Sequence, residues 1–208
     1  MCARMVQVFD PVHLARRLGA MLRPGLWRPS YNLAPSNPAL LLRSSGGQRV
    51  LEPMRWGLGG RIINLRAENL PQTRWGRLMR EGLRCLVPAS GFYEWAKPSA
   101  QPYFFRPANA EVLAMAGVYD PAGESFALIT TPANPTVSPI HSRMPAIIDP
   151  AHYESWLSPA TPWPTAHQLL GPAPAQALTC QPASRRLNRP GADGPELLNP
   201  EGYQPRLL

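Results

Sequence analysis

Short apolar runs separated by Pro, Gly or Ser dominate the middle of the chain. The runs are RCLVPA, GFYEWA, PYFFRP, EVLAMAGVYD and SFALITT, all between Arg84 and Thr131. Their length and their β-branched and aromatic content are typical of strands, and the residues between them are typical of turns. The pattern predicts an antiparallel, partly barrel-like sheet.

The N-terminal part of the chain contains one helical pattern and one hairpin pattern. In FDPVHLARRLGAML, Asp10 can cap a helix that begins at Pro11, with Leu14, Leu18 and Met21 on one face. In ALLLRSSGGQRVLEPMRW, two strand-like runs flank a Ser-Ser-Gly-Gly turn, which predicts a β-hairpin.

Two further helices are predicted, in TRWGRLMREG and in DPAHYESWL, where Asp149 is the candidate cap. Beyond Ser158 the chain is rich in proline, and we expect an irregular wrap that ends in a last strand near LTCQPAS. The chain shows no internal repeat and no GxGxxG, GxxxxGK[ST] or HExxH motif, which argues against the usual nucleotide-binding and zinc-hydrolase chemistry.

Length and composition limit the architecture. The 208 residues, 44% of them hydrophobic, suffice for one globular domain, which we place at residues 2–200 with a short C-terminal tail at 201–208. The 27 prolines and 16 glycines restrict the length of helices. The predicted fold is therefore α+β: a single domain of mainly antiparallel, partly barrel-like sheet with a few short helices. With no apolar stretch long enough to span a membrane and no signal-peptide pattern, we expect a soluble protein of the bacterial cytosol. We also expect a monomer.

Cysteine usage and charge narrow the possible partners. Cys2, Cys85 and Cys180 are odd in number and widely spaced, which fits neither a disulfide framework nor a zinc site. The net charge is +8, and 20 of the 21 basic residues are arginine, so a polyanion such as nucleic acid is an obvious partner. A G+C-rich genome also enriches arginine, alanine and proline together, so charge alone does not identify the partner.

Several polar residues lie in apolar or strand-like surroundings. Glu94 lies between Tyr93 and Trp95 in an apolar strand, where a carboxylate needs a partner or a raised pKa. His141 and Arg143 precede an apolar run at an expected strand entry, where a lone histidine is often structural.

In the stretch RIINLRAENL, Asn64, Arg66 and Glu68 alternate with Leu65, Ala67 and Asn69. Asn64, Arg66 and Glu68 would lie on one face of a strand. Two interpretations stay open: a functional polar face, or an internal ion pair between Arg66 and Glu68.

The first residues, MCARM, place a cysteine directly after the initiator methionine. If Met1 is removed, Cys2 carries a free α-amine and a thiol on adjacent carbons. Such a 1,2-aminothiol can attack an aldehyde through nitrogen to give an imine and then through sulfur to close a thiazolidine, which an internal cysteine cannot do. The alternative is that the residue at position 2 is arbitrary.

The motifs MCARM, PSYNLAPS, MRWGL, INLRAEN, RCLVPASGFYEW and IHSRMP occur in an order that resembles the SRAP family of SOS response-associated peptidases, or abasic-site processing proteins. The resemblance runs from Cys2 to about Asn199. It implies a DNA-damage protein that captures abasic sites in single-stranded DNA covalently and shields them from strand cleavage. The chemistry requires no metal and no organic cofactor.

The resemblance also assigns roles to residues. It implies that Cys2 is the nucleophile, that Asn64 is a hydrogen-bonding partner, and that Glu94 and His141 are acid–base groups. Residues implied to bind DNA are Arg4 and Arg66 at phosphates, Trp56 in the WGL segment, and Asn32 and Arg143 in the matching motifs PSYNLAPS and IHSRMP. Tyr31, Trp56 and Trp75 are candidates for stacking on bases, with core packing as the alternative for each.

Three departures from the family pattern concern affinity more than chemistry. Ala3 replaces a usual glycine, Leu65 stands where a smaller residue is common, and Gln101 stands where lysine is common. Two other functions stay open: a peptidase that uses Cys2 to attack peptide bonds, and a non-covalent reader of modified bases in DNA.

Overall fold

The computed structural model describes residues 2–202. Met1 and residues 203–208 lie outside it, and with them most of the predicted tail; Glu201 and Gly202 form an exposed turn. The described strands are β1 (Met5–Gln7), β2 (Ala20–Leu22), β3 (Ser30–Leu33), β4 (Pro38–Ser45), β5 (Gln48–Trp56), β6 (Asn64–Arg66), β7 (Arg84–Ala89), β8 (Gly91–Ala96), β9 (Gln101–Pro107), β10 (Leu113–Asp120), β11 (Ser125–Pro132), β12 (Arg143–Pro145) and β13 (Leu178–Pro182). The α-helices are α1 (Pro11–Arg17), α2 (Gly76–Arg80), α3 (Tyr153–Leu157) and α4 (Trp163–Gln168), with 3-10 helices at Ala67–Gln72, Pro150–His152, Ala175–Ala177, Arg185–Asn188 and Pro195–Leu198.

Five strands of the larger sheet close on themselves. The antiparallel order is β11-β10-β7-β4-β5, and β5 then pairs with β11 in parallel at Arg55–Ser125 and Trp56–Phe126. Strand β2 extends the sheet beyond β5, and β12 and β6 both pair with β11. The predicted sheet, mainly antiparallel and partly barrel-like, is confirmed, while the parallel pairings of β5, β6 and β2 were not predicted.

The second sheet is open and antiparallel, in the order β13-β9-β8-β1-β3. Strand β1, which directly follows Cys2 and Arg4, lies between β8 and β3. The N-terminal residues are thus held by a strand that has a neighbour on each side, rather than by a strand at the edge of the sheet.

Alternating residues of the ring strands divide into two buried layers, as the period of a strand requires. One layer, including Leu41, Val87 and Leu128, packs with Phe92 and Phe105 of the second sheet. The other layer packs against the helices and contains Leu40, Leu42, Leu86, Ala116 and Ile129 with Leu14, Met79, Trp156 and Ala166. A third buried cluster, with Val6, Tyr93 and Phe104, belongs to the second sheet, and the three clusters together explain the hydrophobic runs that dominate the sequence.

The helix α1 begins as predicted, because the Asp10 carboxylate accepts hydrogen bonds from the backbone N–H of Val12 (2.8 Å) and His13 (3.3 Å). It ends at Arg17, earlier than predicted, and Gly19 follows with φ of +59°. Met21 therefore lies in β2 with 55% of its surface exposed, so its predicted place on the apolar helix face was wrong.

The predicted hairpin is β4–β5, with Ser45 paired to Gln48 across a two-residue turn. Gly46 and Gly47 have φ values of +58° and +78°, a conformation that glycine adopts without steric cost. The helices predicted in TRWGRLMREG and DPAHYESWL are confirmed as α2 and α3, the latter preceded by a 3-10 turn that Asp149 caps. The helix α4 was not predicted. Within residues 2–202 no helix combines the length and apolarity needed to cross a membrane.

Candidate active site

Cys2 lies just before β1 and is completely buried. Its carbonyl oxygen accepts a hydrogen bond of 2.7 Å from the Asn64 side-chain amide. Its thiol lies 3.7 Å from the carbonyl oxygen of Arg4. Burial, followed by the nearby charge of Glu94, raises the pKa of the thiol, so the buried group is a neutral thiol at pH 7.

Asn64 reaches Cys2 because β6 pairs in parallel with β11. The strand alternates as predicted: Leu65 is buried in the core, and Arg66, on the same face as Asn64, is exposed. The alternation stops there, because Glu68 belongs to the 3-10 helix at Ala67–Gln72. The interpretation of Glu68 as part of one strand face was therefore wrong.

Glu94 comes to the same place from β8, which pairs antiparallel with β1. The backbone N–H of Tyr93 donates to the carbonyl oxygen of Arg4 at 3.1 Å, which sets Glu94 beside the N-terminal residues. Only 3% of Glu94 is exposed, and burial raises its pKa from 4.5 to about 7. The sequence predicts a partner or a raised pKa for this carboxylate, and the burial of Glu94 is consistent with the raised pKa.

His141 completes the cluster. Its Nδ1 lies 3.9 Å from Oε1 of Glu94, and it accepts a hydrogen bond of 3.0 Å from the backbone N–H of Arg143. That bond requires the neutral ring to carry its proton on Nε2. When the ring is charged, its Nδ1–H can donate a hydrogen bond to the Arg143 carbonyl oxygen, which lies 3.1 Å from Nδ1. Burial lowers the pKa of His141.

Burial reverses the usual order of these two groups, because it raises the pKa of the Glu94 carboxyl to about 7 and lowers the pKa of the His141 imidazole below its ordinary value. A carboxyl group that titrates near neutral pH can act as either an acid or a base toward a bound reactant. Perturbed groups of this kind concentrate at functional sites. The arrangement suits general acid–base chemistry on a group held next to Cys2.

Buried polar atoms without a hydrogen-bond partner also concentrate here. Within the described residues, such atoms include Nε of Arg4, Oδ1 of Asn32, Oδ1 of Asn64 and Nε of Arg143. Buried polar groups are normally satisfied, and the exceptions often belong to binding or catalytic sites. In residues 2–202 no three His, Cys, Asp or Glu side chains are grouped as metal ligands would be.

The sequence profile of the SRAP family, described as SOS response associated peptidase, matches residues 1–190 of this chain. The chain belongs to the SRAP family. It is similar to the abasic site processing protein YoqW of Bacillus subtilis, with 32% identity over 221 residues that cover 95% of this chain and 99% of YoqW. It is also similar to the abasic site processing protein HMCES of Gallus gallus, with 34% identity over 230 residues that cover 86% of this chain and 68% of HMCES.

Solved structures share the SRAP fold of this chain. A protein from Bacteroides thetaiotaomicron superposes with a TM-score of 0.84 at 22% identity, covering 95% of this chain and 98% of that one. A phage-related protein from Bordetella bronchiseptica superposes with a TM-score of 0.73 at 26% identity, covering 88% and 95%. The predicted α+β single domain is thereby confirmed.

Among the residues that the SRAP resemblance connects with DNA, Arg4 and Asn32 line a cleft of about 560 Å³ beside the N-terminal strand. Asn32 donates a hydrogen bond of 2.8 Å to the carbonyl oxygen of Ala192 on the opposite wall. Arg66 lies outside this cleft and is exposed at the end of β6. These three side chains keep their predicted roles as candidates for DNA binding.

Trp56 does not lie where a base could stack on it. The side chain is fully buried, its ring stacks on Phe126 at 6.4 Å, and its indole N–H donates to the carbonyl oxygen of Ile63 at 2.9 Å. The structure therefore favours the core-packing alternative for Trp56. Tyr31 and Trp75 are partly buried, and Arg74 lies over the Trp75 ring at 4.5 Å.

Arg143 is buried, and its guanidinium is engaged within the protein. It pairs with the Glu68 carboxylate through both terminal nitrogens and donates a hydrogen bond of 2.7 Å to the carbonyl oxygen of Thr130. The hydrogen bonds from Arg143 lower the pKa of Glu68. Glu68 thus pairs with Arg143 and not with Arg66, which corrects the ion pair considered from the sequence. Arg143 holds the 3-10 helix and the strand entry together.

The three departures from the SRAP pattern now have structural accounts. Ala3 is not among the described residues with positive φ, so its methyl group causes no backbone strain. Leu65 is buried in the core below the site. Gln101 donates to the carbonyl oxygens of Pro102 and Ala183, so it serves the packing of the second sheet.

Proposed function

We propose that this chain captures abasic sites in single-stranded DNA by forming a covalent bond through Cys2. The observation that carries the proposal is the convergence of Asn64, Glu94 and His141 on the second residue of the chain. The relatives named above support it, because their names describe abasic site processing. Removal of Met1 is part of the proposal, since it frees the α-amine.

The chemistry balances without an oxidant or a cofactor. An abasic deoxyribose exchanges between a closed hemiacetal and an open aldehyde. The Cys2 amine adds to the aldehyde carbon and water leaves, giving an imine. The thiol then adds to the same carbon and its proton passes to nitrogen, which closes a five-membered thiazolidine. The sum is aldehyde plus aminothiol giving thiazolidine plus one water.

Glu94 and His141 supply the proton transfers. The α-amine and the thiol have ordinary pKa values of about 7.7–8.0 and 8.5, so a nearby base increases the reactive fraction at neutral pH. We assign the role of this base to Glu94. We assign to His141 the role of the acid that donates the proton to open the sugar ring and takes it back when the sugar ring closes again. Asn64 fixes the Cys2 carbonyl, which holds the nucleophile against β6.

Single-stranded DNA is the proposed substrate because the lesion there is already unstacked. Extruding it from a duplex would cost a few kcal/mol. The excess of arginine over acidic residues, and the exposed Arg66 beside the cluster, support attraction of a phosphate backbone.

The test uses a purified protein and an oligonucleotide that carries one abasic site, analysed on a denaturing gel. A heat-stable shifted band supports the proposal. Peptide cleavage without a shift supports a peptidase, and mobility shifts seen only on native gels support a non-covalent reader.

A second arm tests the nucleophile. Placing one extra residue before Cys2 turns its amine into an amide and should abolish the stable adduct. Cys2→Ala should retain at most an imine that borohydride traps. Cys180→Ala removes an exposed internal thiol and is the matched control, expected to behave like wild type. An undiminished stable adduct from either Cys2 variant would falsify the thiazolidine mechanism.

A further inference from the structure

The cleft beside the N-terminal strand has walls that the SRAP resemblance does not explain. One wall is the loop between β2 and β3, with Trp27 and Arg28. The other is the segment at 189–193, with Arg189. Arg4 lies in the same cleft, two residues from the nucleophile. Cys2, Asn64, Glu94 and His141 do not line the cleft, so it lies beside the candidate active site and is connected with it through Arg4.

Trp27 is held in place before any ligand binds. Its indole N–H donates a hydrogen bond of 2.9 Å to Oε1 of Gln7, and its ring stacks on Phe9 at 5.8 Å. Gln7 is itself fully buried on β1, and its amide donates to the carbonyl oxygens of Leu40 and Pro88. The strand that follows Cys2 thus also fixes the tryptophan of this wall.

The loop that carries Trp27 is also fixed at its start. The backbone N–H of Arg23 donates to the carbonyl oxygen of Leu51 at 2.9 Å. A Cβ at Gly25 would lie 2.3 Å from the Pro53 ring, so only glycine lets the loop lie so close. Directly after Gly25, Leu26 extends outward with 89% of its surface exposed, on the rim of the cleft.

The opposite wall is attached to β3. The Asp193 carboxylate accepts a hydrogen bond of 2.6 Å from the backbone N–H of Tyr31, and Asn32 holds Ala192. The carboxylate of Asp193 is thereby used within the protein. Arg28 and Arg189 are both exposed at the cleft, so its charge is positive.

From this arrangement we infer that the cleft binds a nucleotide adjacent to the abasic residue, with its phosphate at Arg28 and Arg189 and its base against Trp27 and Leu26. The inference rests on the proposed function. Guanidinium groups next to an aromatic wall match the two parts of a nucleotide, its charged phosphate and its flat base. A volume of about 560 Å³ is in the range of small-molecule sites.

The experiment measures single-turnover crosslinking against DNA concentration, with wild type and with Arg28→Ala, Arg189→Ala and Leu26→Ala. All three side chains are exposed, so the variants should fold normally. We expect the half-saturating DNA concentration to rise roughly 5- to 100-fold when a base or phosphate contact is lost, with an unchanged rate at saturation. Arg16→Ala, an exposed arginine outside the cleft, is the matched control.

The DNA is varied in parallel to identify the nucleotide. One oligonucleotide lacks every nucleotide 5′ of the lesion, one lacks every nucleotide 3′ of it, and two carry a base-free tetrahydrofuran spacer on one side or the other. With one of the two truncated strands, Arg28→Ala should no longer raise the half-saturating DNA concentration, because the phosphate that Arg28 contacts is absent. With the spacer on that same side of the lesion, Leu26→Ala should no longer raise it, because the base is absent.

The outcomes separate the two proposals. If wild type forms no adduct with any of these strands, the proposed function fails. If wild type crosslinks normally and the cleft variants match it on every strand, the proposed function stands and the nucleotide site is refuted. Cleft variants that raise the half-saturating concentration of every strand equally also refute the nucleotide site, because the loss of affinity would then not depend on a neighbouring nucleotide.

Discussion

Glu94 has a role in the candidate chemistry, and its charged carboxylate lowers the stability of the folded protein. Its carboxyl is buried in an apolar strand, and burial raises its pKa to about 7. The folded protein therefore binds a proton more tightly than the unfolded chain does. Between the unfolded pKa, near 4.5, and the folded pKa, stability falls as pH rises.

Replacing Glu94 by glutamine should stabilise the fold at neutral pH. The amide keeps the shape and removes the charge, so at pH 7.5 the free energy of unfolding should increase by about 1–3 kcal/mol. Below pH 4.5 the two proteins should be nearly equally stable, because the wild-type carboxyl is then protonated in both states. Urea denaturation at several pH values measures this difference.

The exposed Glu81→Gln variant is the control for removing one negative charge. It should show no comparable dependence on pH. A Glu94→Gln protein that is less stable than wild type at pH 7.5 would contradict the desolvation account. If Glu94→Gln is more stable than wild type but crosslinks more slowly, the buried carboxylate is retained for function at a cost in stability.

At the scale of elements, the loop before β12 positions His141. Asn134 is buried at its start: its amide donates to the carbonyl oxygen of Ala173 at 2.9 Å, and its Oδ1 accepts from the backbone N–H of Val137 at 3.0 Å. The carbonyl oxygen of Val137 in turn accepts from the backbone N–H of His141 at 3.0 Å. One amide side chain thus shapes the turn that presents the imidazole.

Asn134→Ala should lower the free energy of unfolding by about 1–3 kcal/mol, because it leaves buried backbone groups unsatisfied. It should also slow crosslinking at saturating DNA by displacing His141. General acid–base groups contribute about 10²–10⁴-fold to reaction rates. Asn134→Ala should therefore slow crosslinking by no more than His141→Ala does. The double variant should be no slower than His141→Ala, as measured by single-turnover rates in variants shown to be folded. Additive effects on the rate would mean that Asn134 acts independently of His141.

Elements with a local signal were predicted well from the sequence. Asp10 before Pro11 and the Gly46-Gly47 pair encode a helix start and a hairpin in a few residues. The closing contact between β5 and β11 has no such signal, since it pairs residues far apart in the chain and in the less common parallel sense. The three-residue strands β1 and β2 are too short to show a hydrophobic period.

The residues of the candidate site could be named from the sequence where a motif specifies them, and much less so where the orientation of a side chain decides. Cys2, Asn64, Glu94 and His141 were named from their motifs, and the structure places them together. An aromatic residue in a strand gives no sign of which way it faces, so Trp56 was considered for stacking although it is buried. Trp27, which we propose to contact a base, is not predicted from the sequence because RPGLWRPS shows no periodicity. Its signal is an apolar pair enclosed by glycine, prolines and arginines.

For the whole molecule, the excess of arginine should appear in the salt dependence of binding. Arg4→Ala and Arg66→Ala should each reduce the slope of log K against log[salt] for undamaged single strands by about 0.7 if each contacts one phosphate. The crosslinked fraction at saturating DNA should be unchanged. Fluorescence titrations from low to moderate salt, with Arg16→Ala as control, measure this. An unchanged slope in both variants would mean that these two arginines serve the structure of the protein and do not contact DNA phosphates.

The central place of β1 has a mechanical consequence for an adduct at Cys2. A motor enzyme that moves along the attached DNA would pull on the chain at its second residue, along the direction of β1. The hydrogen bonds of β1 to β8 on one side and to β3 on the other would then bear the force together, in shear. A nucleophile on an edge strand would instead be peeled away one bond at a time. In the proposed adduct, the first strand of the fold would therefore hold the attached DNA against a pulling force, because both neighbouring strands would resist its removal together.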